Sequence, residues 1–296
     1  MSQQPSVLYD ELGPRGQRRV VIGSVLAGVL IIGVVALGIV RLAAKGQFQT
    51  TRWKVFTQPA VVRFLANGLL ATVKVALTAG LLSLVFGLAL ALARLSVRRA
   101  ARYATGAWIE FFRGVPLLLL ILFIAHGLPQ YGMKLSAYWF LVLGLTIYNS
   151  AVLAEIFRAG ILSLDRGQRE AAYAIGLTYA QSMRLVIVPQ AVRRMVPTLV
   201  SQLVTLLKDS SLGFVIPFEE LLRRGRGLGE FYPQSILQAY VVVAAIYIAV
   251  NFSLGRVAVW LEGRQAHRYG GRVHLPGGPE DLAMIEVRSA ALVPSD

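Results

Sequence analysis

Long apolar runs, repeated along the chain and separated by arginine-rich segments, restrict this sequence more than any motif in it. A backbone crossing lipid must satisfy its own polar groups, which leaves helices or a closed barrel. A helical crossing needs about 20 apolar residues. Residues 20–40 supply such a run with no charge, and Gly68–Ala93 a second broken only by Lys74. A third is built on Gly114–Leu128, extended back through Trp108–Phe112, and a fourth on Ala137–Phe157. Met195–Val215 reads as a fifth, interrupted by Lys208 and Asp209, and Ile236–Leu261 as the sixth. With 56% hydrophobic and 15% charged residues, the composition is too apolar for a soluble domain of 296 residues. The expected fold is all-α and polytopic, with six transmembrane helices. Residues 20–40 read as a retained membrane anchor: the run exceeds a signal peptide's apolar stretch and no small-residue cleavage site follows it.

Six crossings put both ends on one side, and the excess of Arg at 15–19, 94–113, 158–194 and 264–288 makes that side cytoplasmic. Residues 1–19 and 263–296 are then expected to be polar cytoplasmic tails. The formal charge of +15 follows from this topology, and no basic helix face carries a nucleic-acid motif, so nucleic acid is not an expected partner. Cysteine is absent, which excludes a disulfide framework and thiolate metal sites, and His126, His267 and His274 lack ligand spacing. No G-x-x-x-x-G-K-[ST] phosphate loop occurs, so the chain itself is not expected to bind ATP or act as an enzyme. Gly225, Gly227 and Gly229 alternate in what reads as a flexible outer turn.

Residues 170–191 read as a compact two-helix loop inserted between the hydrophobic spans. Gly176 suits the left-handed residue closing a short helix, with Leu177 as the apolar residue beyond it. Thr178-Tyr179-Ala180-Gln181 matches a capping box that starts a second helix. Pro189 is expected to stop that helix and hold Val188 out of helical geometry. Ala171 and Ala172 have little side chain, so a partner surface is expected to approach the first helix closely.

Glu170-Ala171-Ala172, Gly176 and Val186-Ile187-Val188-Pro189, at their spacing here, resemble the EAA loop of ABC-importer permeases. The departure is Val186 and Val188, where that family prefers Ile and Leu. Glu110-Phe111-Phe112-Arg113-Gly114-Val115-Pro116 and Leu207-Lys208-Asp209-Ser210-Ser211-Leu212 resemble segments of its polar amino-acid branch, and the likeness covers about residues 60–262. Val7-Leu8-Tyr9-Asp10, Gly13-Pro14-Arg15-Gly16, Gly46-Gln47-Phe48 and Trp53 resemble the extra first span of actinobacterial glutamate-uptake permeases. The resemblance implies a MetI-like type I permease core with one added N-terminal helix in a bacterial cytoplasmic membrane. It implies import of glutamate or a related polar amino acid by alternating access. The implied partners are a dimeric ATPase carrying ATP and Mg, a second permease in a heteromer, and an extracytoplasmic solute-binding protein. It assigns ATPase coupling to Glu170, Ala171, Ala172, Gly176 and Pro189, in a loop spanning 163–194.

Polar groups inside apolar spans cost about 2.5–3.5 kcal/mol for a charge at the bilayer centre, which selects Asn149, Glu155, Lys208 and Asp209 as candidate substrate contacts. Lys208 suits a substrate carboxylate, and Asp209 or Glu155 an α-ammonium group. Against this, Glu155 can pair with Arg158 one turn on, and Lys208–Asp209 can sit at the outer interface. Gly80, Gly87, Ala89, Ala91 and Ala93 allow close packing, either against a second permease or within the chain. The segment Pro217–Glu230, with Glu219, Glu220, Arg223, Arg224 and Arg226, is the expected docking surface for a binding protein. Two other classes fit the apolar pattern: an ATP-independent carrier or channel, which would transport alone, and a non-transporting scaffold subunit. The lack of an internal repeat counts against the carrier.

Overall fold

The computed structural model describes residues 13–269, and those residues form helices and turns without a strand. The motif Val7–Asp10, His274 and most of both expected tails lie outside them. The tails are shorter than expected where described. Helix α1 spans Pro14–Ala44, with Pro14 in its first turn where a missing N–H costs nothing, and the last helix runs on to Tyr269. Between them lie α2 (Thr50–Lys54), α3 (Pro59–Arg94), α4 (Arg99–Gly114), α5 (Leu117–Gln130), α6 (Ala137–Leu162), α7 (Arg166–Ala174), α8 (Tyr179–Ser182), α9 (Val188–Asp209), α10 (Leu221–Phe231) and α11 (Ile236–Tyr269).

The chain divides into two units, residues 13–65 with 224–243, and residues 66–223 with 244–269. In the first, the most apolar window of α1 buries none of its residues. Gln238 Nε2 donates to the Gln47 carbonyl at 2.6 Å, and Arg52 Nη1 to the Gln234 carbonyl at 3.1 Å. The glycines expected to form a flexible turn are instead within helix α10. A Cβ at Gly225 would lie 2.4 Å from Val243 Cγ2, and one at Gly229 2.6 Å from Ile236 Cγ1. Their alternation allows α10 to press against the start of α11.

In the second unit, α6 is the central element and packs against α4, α5 and α9. Its apolar residues divide between two clusters. Phe140, Leu141 and Leu145 join Ile121, Leu206 and Ile216, while Leu153, Phe157 and Ile161 join Met183, Ile187 and Ala191. Gly87 of α3 is where backbones approach most closely: an added Cβ would sit 2.8 Å from Leu153 Cβ and 3.1 Å from the Ser150 carbonyl. Gly80 likewise faces Leu203, and Ala91 is fully buried, so these three small residues pack within the chain; Ala89 is exposed.

Among the described residues, four helices are long and apolar enough to cross a membrane, or five if one bent pair counts as a single span, against the six expected. The third expected span is that pair. The helix breaks at Val115–Pro116, where both residues are extended, and α4 departs from α5 by 99°. The residue before a proline is driven out of helical geometry, and α4 is amphipathic rather than uniformly apolar. The fifth expected span also differs. Its helix, α9, ends at Asp209 in a tighter turn, Ser210–Val215, and is two-faced, with Gln202 and Lys208 among its leucines.

Candidate functional site

The loop between α6 and α9 is held by backbone chemistry at every corner. Asp165 caps α7, its carboxylate accepting from the Gly167 N–H at 2.7 Å. Helix α7 closes with Gly176 at φ +83°; the Gly176 N–H donates to the Tyr173 carbonyl at 2.9 Å and the Leu177 N–H to Ala172 at 3.2 Å. That is the paired closure expected of a left-handed glycine. The capping box then forms as read: Thr178 N–H donates to Gln181 Oε1 at 2.9 Å, and Gln181 N–H to Thr178 Oγ1 at 3.4 Å.

Pro189 does not stop the second helix. Val188 is helical at φ −61°, ψ −44°, and the chain stays helical from Tyr179 to Asp209. Residues Met183–Ile187 adopt the wider π form immediately before the proline. A π turn inserts one residue into the ladder, which accommodates a proline that lacks an N–H and would crowd the preceding turn.

The loop's faces separate cleanly. Ala172 is 3% exposed, so it packs inward and is not open to a partner as expected, whereas Glu170 and Ala171 face out. Around them Ile175 is 77% and Leu185 62% exposed. Met183 and Ile187 anchor the other side in the core. Gln190 Nε2 donates to Gln168 Oε1 at 3.1 Å, tying α7 to α9. Tyr179 Oη donates to the Leu95 carbonyl at 2.8 Å, tying the loop to the end of α3. Burial raises the Tyr179 phenol above its ordinary value, with Tyr173 adding to the shift and Arg169 opposing it. The loop is a knob that exposes Glu170, Ala171, Ile175 and Leu185 on a braced frame.

The intramembrane candidates do not converge on one site. Asn149 is fully buried; its Nδ2 donates to the Leu145 carbonyl at 2.9 Å and its Oδ1 accepts from Gln202 Nε2 at 3.0 Å. It presents nothing to a solute here. Glu155 is held by Arg158 through a two-nitrogen contact and by Arg94 Nη1 at 3.3 Å; Arg94 also reaches Glu110 at 3.0 Å. These contacts join α3, α4 and α6 in one ion-pair cluster. Lys208 is exposed and Asp209 half-buried, and no ion pair joins them among the described residues.

Sequence reasoning passed over Gln202, whose signal was a lone amide in the run Leu199–Leu207, and Tyr179, whose partner lies 84 residues away. It also misread Glu220, which is fully buried rather than a docking residue. The Glu220 carboxylate caps α10, accepting from the N–H groups of Leu222 at 2.7 Å and Arg223 at 2.6 Å and from Tyr247 Oη at 2.9 Å. Burial pushes its pKa above the usual carboxylate range, and the helix N–H donors oppose that shift. Arg226 pairs with Glu230 at 2.9 Å on the exposed side of α10.

The family model for the binding-protein-dependent transport system inner membrane component matches residues 83–267. The glutamate transport system permease protein GluD of Corynebacterium glutamicum is 40% identical over 75% of this chain and 82% of its own length. The probable glutamine ABC transporter permease protein GlnP of Bacillus subtilis is 39% identical over 68% of this chain and 94% of its own. Among solved structures, an amino acid ABC transporter with histidines aligns at TM-score 0.65 and 34% identity, covering 69% of this chain and 95% of that one. The MetNI methionine ABC transporter, at 20% identity and TM-score 0.57 over 69% of this chain and 99% of that one, shares the fold.

Proposed function

The chain belongs to the binding-protein-dependent transport system inner membrane components, and on that premise we propose that it imports glutamate or a closely related polar amino acid. It is the permease of an ATP-driven importer, and ATP and Mg are bound by a separate subunit. The observation that carries this reading is the knob on the 166–187 loop, with Glu170, Ala171 and Ile175 exposed and Met183 and Ile187 buried as its anchor. Such a knob transmits force only if its own frame does not yield. Here the frame is closed by the Gly176 turn, the Thr178 box and the two side-chain ties to α9 and α3.

In this reading both ends of the chain are cytoplasmic. ATP binding draws two nucleotide-binding subunits together, each seating one such loop. Because the loop is continuous with α9, its displacement passes along that helix to α6 and changes which side of the membrane is open. A second permease of different sequence completes the pathway, and an extracytoplasmic solute-binding protein delivers the amino acid. Lys208, at the end of α9, is the candidate for a substrate carboxylate, with Asp209 beside it for the ammonium group. Asn149 and Glu155, both engaged within the chain, hold α6 in place.

The decisive experiment pairs uptake with crosslinking. Ile175→Cys should crosslink to the ATPase subunit in the assembled transporter, and Glu170→Lys should abolish uptake while the protein remains in the membrane. Uptake at the normal rate in Glu170→Lys would overturn the coupling role. Substrate identity is read separately, by comparing ATP hydrolysis stimulated by glutamate, glutamine and arginine in the purified assembly.

A further inference from the structure

Beside Leu95, whose carbonyl holds Tyr179 of the 166–187 loop, a cavity of about 630 Å³ is lined by Arg94, Arg102, Tyr103, Gly106, Glu110 and Arg158. We propose that this cavity binds the phosphate headgroup of an anionic phospholipid. The site does not depend on which amino acid is transported.

Three observations converge on it. First, the charge is unbalanced. Glu110 and Glu155 are engaged by Arg94 and Arg158, whereas Arg102 has no carboxylate partner among the described residues. Its guanidinium lies 5.5 Å from the centroid of the Tyr103 ring and is exposed at the cavity. A guanidinium held this way offers a planar set of donors that matches a phosphate.

Second, the cavity lies along α4, which has the form of an interfacial helix. It is amphipathic, bends 99° away from apolar α5, and exposes Tyr103, Trp108 and Phe111 at 70%, 46% and 63%. A helix crossing the direction of its neighbouring span with aromatic side chains outward lies at headgroup depth. Third, the volume suits a small organic ligand, about 300–1,000 Å³. A free phosphate ion would leave most of it empty, while a phosphodiester with its glycerol and the start of two acyl chains would not. Basic pockets between spans are recognised sites for anionic headgroups.

The test is native mass spectrometry of the full-length chain in detergent, titrated with phosphatidylglycerol or phosphatidylcholine. Wild type should retain phosphatidylglycerol selectively. Arg102→Gln should weaken retention about fivefold, the loss of one surface cation's attraction. Tyr103→Ala should weaken it less, and a control removing Arg15 and Arg18 should leave it unchanged. Arg102 is exposed, so its substitution leaves the fold intact. Equal retention by wild type and Arg102→Gln overturns the proposal. So does displacement of the lipid by inorganic phosphate at matched concentration, which would make this a free-anion site. So does complete loss of lipid on adding the ATPase subunit, which would make the cavity part of that interface.

Discussion

The 166–187 loop and the polar interior of α6 are both interruptions of apolar sequence, yet they are built by opposite rules. In the loop, the bonds that shape each turn are local: Asp165 to Gly167, Gly176 to Tyr173, Thr178 to Gln181; Gln190 to Gln168 and Tyr179 to Leu95 then tie that shape to α9 and α3. In the interior, the defining bonds join distant segments. Asn149 meets Gln202, 53 residues on, and Glu155 meets Arg94 as well as its neighbour Arg158. A polar group facing water needs only its neighbours to organise it. A polar group in the packed core must find a partner wherever the fold brings one, because leaving it unpaired costs about 1–3 kcal/mol. The loop's turns therefore form from neighbouring residues and leave an outer surface on offer, while the interior spends its polar groups on itself.

The sharpest way to break this contrast is to attack the loop's shape without touching its surface. Gly176 has φ +83° and no atom within 4 Å of an added Cβ, so substitution there is a pure backbone insult. Gly176→Ala should cost about 1–2 kcal/mol locally and reduce uptake. Gly176→Asp, which adds charge beside the exposed Ile175, should abolish uptake with normal membrane levels by immunoblot. Full uptake by both variants would show that the frame need not be rigid.

The interior predicts a loss of stability instead. Asn149→Ala leaves the Gln202 amide without its partner and should lower stability by about 1–3 kcal/mol in detergent unfolding. Adding Gln202→Leu should recover part of that loss. A strictly additive double variant would show that the two amides do not work as a pair.

A smaller effect is expected from Glu155→Gln, which removes the charge that Arg94 and Arg158 share. The cluster is partly exposed, so about 1 kcal/mol is the expected cost, read from thermal unfolding and diminished by salt. The smallest effect concerns the loop's outer tie. Burial raises the Tyr179 pKa, so the folded state favours the neutral phenol. The stabilisation it brings is complete below the ordinary tyrosine value and is lost as pH rises through the raised one. A difference absorbance titration of wild type against Tyr179→Phe should show one phenol titrating above 10.0. Titration at or below that value would mean the phenol is not buried against the loop.

This contrast also explains which features were legible. Gly176, Leu177, Thr178 and Gln181 were readable because caps and turns depend on residues within a few positions of one another. Glu155–Arg158 was readable as one of two outcomes for the same reason. Gln202 was not, since nothing in the run Leu199–Leu207 says which helix will face it. Pro189 misled because its rule is local, and buried Met183 and Ile187 anchor the helix where it passes through a π turn. Gly225, Gly227 and Gly229 misled in the opposite sense: their spacing reads as flexibility until Val243 and Ile236 are seen against two of them.

The helices divide in the same way. In their most apolar windows α1 and α6 both qualify as spans, but none of the residues of the first are buried and 67% of the second's are. Hydropathy measures the cost of exposure to water, and lipid and protein interior relieve that cost alike. The membrane class, the helical fold, the caps of the 166–187 loop and its family motif were therefore determined by the residues in order. Which apolar faces meet protein, which polar side chains pair across the core, and where α4 turns from α5 were decided by the tertiary structure. Each of those depends on the surface a neighbouring helix supplies, and no short window of the chain contains that neighbour.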